Sequence, residues 1–69
     1  MKLTMRRYLE AVAADFLTAT AVLVAEGHHP KVVLRKAEKA ADKGYTEYGV
    51  SCWYSWLDPK GEAFLRGEI

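Results

Sequence analysis

Residues 3–26 read LTMRRYLEAVAADFLTATAVLVAE, the longest apolar segment of the chain. Met5, Leu9, Val12, Phe16, Ala19 and Leu23 step by four, three, four, three and four residues, the rhythm of a helix seam. Ala13, Leu17, Thr20 and Val24 widen that stripe. Six alanines between Ala11 and Ala25 raise helix propensity and allow close approach of a second helix. The spacing predicts one amphipathic helix over residues 3–26. Gly27 is placed to end it in a left-handed conformation.

Length then suggests a second molecule. About 23 helical residues make a rod of roughly 34 Å at 1.5 Å per residue. The next helix, predicted over residues 30–43 with Pro30 at its first position, reaches only about 20 Å by the same rise. Such a partner leaves part of the stripe uncovered. A homodimer seam through Met5, Leu9, Val12 and Phe16 is therefore expected. A chain of 69 residues is one domain and buries only about 60% of its unfolded surface, which also favours association.

The connection Gly27-His28-His29-Pro30 is a compact turn that makes the two helices antiparallel neighbours. Adjacent histidines point in different directions, and no cysteine or carboxylate lies at a ligand spacing, so one His is read as a helix cap and no metal is expected. In the second helix Val33, Ala37, Ala40 and Ala41 form the inward face, with Leu34 beside them. Lys31, Arg35, Lys39 and Lys43 recur every four residues on the opposite side, with Lys36 nearby. Glu38 and Asp42 leave the segment at +3, within a chain whose net charge is +1. Like charges four apart repel by a few tenths of a kcal/mol, so the ridge is either a solvated face or a surface for an anion. Gly44 ends this helix as Gly27 ends the first.

Composition changes after Gly44. Six of the eight aromatic residues fall at Tyr45, Tyr48, Trp53, Tyr54, Trp56 and Phe64. Thr46, Tyr48, Val50, Cys52, Tyr54 and Trp56 alternate with Glu47, Gly49, Ser51, Trp53 and Ser55, a period of two that predicts extended chain with Trp53 on the face opposite Tyr48, Tyr54 and Trp56. Gly49 and Ser51 split it into two short strands of an antiparallel hairpin over residues 45–57. In residues 58–69, Asp58-Pro59-Lys60-Gly61 suits a turn or a capped short helix, and the helix is preferred. The predicted class is α+β: a long antiparallel helix pair, a short hairpin, and a C-terminal helix or strand.

Lys43-Gly44 with Tyr45-Thr46-Glu47-Tyr48-Gly49, followed by WLDPKGEAFL from Trp56, resembles the tail of winged-helix DNA-binding domains. The resemblance covers about the last 40 residues. It implies that the second helix occupies the recognition position and that Lys31, Arg35, Lys36, Lys39 and Lys43 face phosphates. The first half departs from that pattern, because one long helix stands where a further helix is usual. In size and plain helix-pair build the chain is also similar to small early proteins of temperate phages. Some of those bind and disable host proteins, including quorum-sensing activators and pilus motors.

Two functions follow as expectations. The first is a non-enzymatic homodimeric regulator that binds a host protein, such as an inhibitor of a transcriptional activator. Trp53, Tyr54, Trp56 and Tyr48 would be its anchors, since large rings bury area with little rotamer entropy. The alternative is a winged-helix-like regulator that binds DNA. No nucleophile–base–acid arrangement or phosphate-loop glycine pattern is present, so neither catalysis, a cofactor nor a small-molecule substrate is expected. Cys52 is the single cysteine, which excludes an internal disulfide and fits a reducing cytoplasm. Lys2, Arg6 and Arg7 before an apolar run resemble the start of a secretory signal, but Glu10 and Asp15 interrupt it. The charge-free run 16–25 is short for a membrane span, so a buried helix is expected.

Overall fold

The computed structural model describes residues 2–69. Among them the order is α1 (Met5–Ala14), α2 (Ala19–Ala25), α3 (Pro30–Asp42), β1 (Thr46–Glu47), a 3-10 turn (Cys52–Tyr54), β2 (Trp56–Leu57) and α4 (Pro59–Leu65). The fold is α+β, as the pattern of elements predicts. No helix of the described residues is long and apolar enough to cross a membrane.

The predicted single helix over residues 3–26 is two helices. Asp15 leaves the helical region at φ −168 and ψ 106. Its Oδ1 accepts from the Leu17 amide at 3.0 Å and its carbonyl from the Thr18 amide at 3.2 Å. A short acidic side chain offers the backbone this local alternative to the helical ladder. The three-four spacing of apolar residues does not register such a break, because each half keeps its own stripe.

An ion pair spans the fold-back. Arg7 at the start of α1 donates through Nε to Glu26 Oε1 at 3.1 Å, and through Nη2 to Oε2. In one straight rod those residues would stand roughly 28 Å apart. The longest dimension of the molecule is 29 Å, shorter than the expected rod.

Folding back closes the core within one chain. Leu9 is 0% exposed and Val12 4%, and they meet Leu23 of α2 and Val33, Ala37 and Ala40 of α3. The length mismatch that implied a second copy is therefore absent. Leu9 and Val12 belong to the chain's own core, not to a dimer seam. Met5 is half-buried against that core, and Phe16 is 37% exposed.

α3 begins as its sequence predicts. His29 is the N-cap, its Nδ1 accepting from the Lys31 amide at 3.1 Å, and Pro30 fills the first turn. Gly44 ends it at φ +79, which lets the Tyr45 amide donate to the Ala40 carbonyl at 2.9 Å. The inward face is Val33, Ala37 and Ala40.

The hairpin is shorter than predicted. Thr46 pairs with Leu57 and Glu47 with Trp56, and those two pairs are the whole antiparallel ladder. Between them the alternating run is not extended. Ser51 Oγ accepts from the Trp53 amide at 3.2 Å, and Ser55 Oγ donates to the Cys52 carbonyl at 2.8 Å. These two hydroxyls wind residues 52–54 into a 3-10 turn in place of a strand.

The C-terminal segment is helical. Asp58 Oδ2 accepts from the Lys60 amide at 3.2 Å and Pro59 occupies the first turn. α4 lies close to the hairpin because Gly61 has no side chain: a Cβ there would stand 2.2 Å from the Tyr45 carbonyl oxygen. Arg6 holds its other end, donating to the carbonyls of Phe64 and Leu65, each at 3.1 Å. The same guanidinium lies 5.4 Å from the Phe64 ring centroid.

Candidate functional site

Two surfaces carry the residues that the sequence singles out. The first is the outer face of α3. Lys31, Arg35, Lys39 and Lys43 are all exposed, and Lys36 is half-buried. Burial of Val33, Ala37 and Ala40 against α1 and α2 turns this ridge outward, over roughly 18 Å of helix.

Lys2 joins the ridge, which sequence reasoning missed. Leu3 is 1% exposed, and its burial brings the preceding lysine to α3. A groove of about 640 Å³ is lined there by Lys2, Arg35, Lys36 and Lys39, with Leu3 and Val32 as apolar lining. Glu38 and Asp42 also line it. Among the described residues none of these four cations has a carboxylate oxygen within 4 Å; the ion pairs lie at Arg7 and Arg66. The Lys36 ammonium titrates below the usual lysine range, chiefly because it is partly buried, and then because Lys39 and Lys2 repel it. A cluster of this sign, left unpaired, lowers its own energy by taking up an anion.

The second surface is at the base of the hairpin. Trp56 is 41% exposed and its ring meets Phe16 edge-on, with centroids 6.2 Å apart and planes at 75°. Tyr48 and Trp56 line a second groove of about 550 Å³, with Asp42, Thr46 and Glu47. Tyr54 is 53% exposed on the 3-10 turn and does not line that groove. Trp53 is half-buried on the same turn, its carbonyl accepting from Thr20 Oγ1 at 3.2 Å. It does not occupy the opposite strand face that alternation predicts. The four rings expected to act together are thus divided: Tyr48 and Trp56 share a groove with Phe16 behind it, while Trp53 and Tyr54 belong to the turn.

The remaining chemistry-bearing groups are dispersed. His28 is buried under the α2–α3 turn and His29 caps α3. Burial pushes the Tyr8 phenol above its ordinary range. Among the described residues no group of three or more His, Cys, Asp or Glu side chains is arranged to hold a metal ion. Comparison of the chain with protein-family models, with curated proteins and with solved structures finds no match.

Proposed function

We propose that this protein is a DNA-binding regulator that presents α3 to the duplex. The observation that carries the reading is the unpaired cationic face of α3, turned outward by the packing of its alanines and extended by Lys2. α3, the hairpin and α4 follow one another in the order of the tail on which the winged-helix resemblance rests. The break at Asp15 puts two helices before α3. A B-form major groove about 12 Å wide admits one helix, and phosphate contacts give affinity that falls with salt.

Anisotropy titration of a labelled duplex through a salt series tests this. If the five basic residues of α3 each meet a phosphate, log K falls against log salt with a slope of about −4.5. Arg35→Glu should weaken binding at least tenfold, because it removes one contact and adds a repulsion. Absence of binding at about 50 mM salt, or binding that Arg35→Glu leaves unchanged, rejects the reading.

A second reading is capture of a host protein, with or without self-association. The exposed rings of Phe16, Tyr48 and Trp56 favour it, since buried aromatic anchors dominate protein interfaces. Trp56→Ala should then abolish capture while leaving DNA affinity and helical content unchanged.

A further inference from the structure

The groove beneath the hairpin combines features that the α3 face lacks. Glu47 and Trp56 are direct cross-strand partners, so the carboxylate and the indole stand side by side on one face of the ladder. The indole is packed on one side and open on another. Phe16 packs edge-on against it, and Gly49 leaves room on another side, where a Cβ would lie 3.8 Å from the ring's Cη2. Asp42, at the end of α3, brings a second carboxylate to the lining, and Tyr48 a second ring. Neither Asp42 nor Glu47 has a cationic partner within 4 Å among the described residues. Thr46, also in the lining, is 2% exposed and turns its side chain to the opposite face of the ladder from Glu47, so its hydroxyl is sealed from the groove.

We propose that this groove receives an arginine side chain presented by a partner protein. An indole face attracts a cation, and a guanidinium is the cation that also stacks flat upon it. Its planar fork meets carboxylates with two parallel hydrogen bonds, and two carboxylates are available here. A lysine ammonium is more strongly hydrated and cannot stack, so it should bind more weakly. The groove volume exceeds one side chain, which leaves space for the backbone that carries it. This inference does not depend on DNA binding by α3. It gives chemical content to the second reading above.

The test is a ¹⁵N NMR titration of the full chain with a short capped peptide, glycine-arginine-glycine. Its counterparts carry citrulline, which is neutral and isosteric, or lysine in place of arginine. The expected result is saturable shifts of the Trp56 indole and of the Glu47 and Gly49 amides with the arginine peptide. Citrulline should bind at least fivefold more weakly, with lysine between the two. Glu47→Gln and Asp42→Asn each lie on exposed positions, so the fold should persist, and each should weaken arginine binding at least threefold. Equal response to citrulline overturns the proposal, as does binding unaffected by Glu47→Gln, or shifts that never saturate. Self-association lost in Glu47→Gln, without peptide binding, would assign the groove to a second copy of this chain and overturn the partner named here. Loss of DNA affinity in separate assays has no bearing on any of these outcomes.

Discussion

The helical half of the molecule and its hairpin half are held in different ways. In α1, α2 and α3 the side chains of Leu9, Leu23, Val33 and Ala40 are wholly buried, and three helices share one core. In residues 48–54, Tyr48, Val50 and Tyr54 are exposed, and the flanking ladder is only two residue pairs long. Tyr45, Cys52, Leu57, Phe64 and Leu65 pack the second half onto that core, and Arg6 on the end of α4, Phe16 on Trp56 and Thr20 on the Trp53 carbonyl add specific contacts. The difference teaches where tolerance lies. Substitution should be tolerated best at the exposed positions Tyr48, Val50 and Tyr54, and least in the shared helical core.

The largest expected effect separates the halves directly. Leu9→Ala should cost about 2–5 kcal/mol in chemical denaturation, enough to unfold a small domain at ordinary temperature. Tyr54→Ala should stay within about 0.5 kcal/mol. Equal losses would mean that the 3-10 turn belongs to the cooperative core.

Two glycines sharpen the contrast within the hairpin half. Gly61→Ala places a Cβ on the Tyr45 carbonyl and should cost about 1–3 kcal/mol, by forcing α4 away from β1. Gly49→Ala adds only an ordinary contact with Trp56 and should be nearly neutral. Thermal melts of the two variants decide this. A neutral Gly61→Ala would show that α4 moves without resistance.

Phe16 tests the seam between the halves. The sequence alone predicts a loss of several kcal/mol for Phe16→Ala, as for a core ring. With the side chain more than a third exposed, about 1–2 kcal/mol is expected. Trp56 fluorescence should respond, since its edge-on neighbour is lost.

The smallest effect is electrostatic. Arg7 holds the Glu26 carboxyl below the usual carboxylate range, first by hydrogen bonding and then by charge. A carboxyl lowered in the folded state contributes stability that is present above its unfolded pKa, near 4.5, and is lost as pH falls through the lowered folded value. Both groups are over a third exposed or nearly so, so salt screens the effect. Glu26→Gln should flatten the acid limb of the stability profile measured by denaturation between pH 3 and pH 6 at about 50 mM salt. Glu68→Gln should not, because Arg66 and Glu68 are two residues apart and remain neighbours in the unfolded chain.

Much of the architecture was legible in local chemistry. Positive φ at Gly27 and Gly44, the caps at His29 and Asp58, the inward alanines of α3 and the outward basic ridge all follow from short-range rules. Lys31, Arg35, Lys36, Lys39 and Lys43 were identified as one surface for that reason. The aromatic surface was not legible, because its grouping depended on an extended run that two serine hydroxyls convert to a turn. Asp42 and Glu47, which give the hairpin groove its charge, carry no signal of their own, since they meet Trp56 only through the strand register.

By itself the sequence determined that α3 and α4 are helical, where Gly27 and Gly44 stop the chain's helices, and which way α3 faces. Those properties are set within a few residues, by caps, glycines and the 3.6-residue period. Only the tertiary structure decided that residues 3–26 fold back at Asp15, that Leu9 and Val12 are sheltered by their own chain, and that Lys2 joins α3. Each of those depends on contacts between residues far apart in sequence. A periodic pattern of apolar side chains is the same whether its helix runs straight or doubles back.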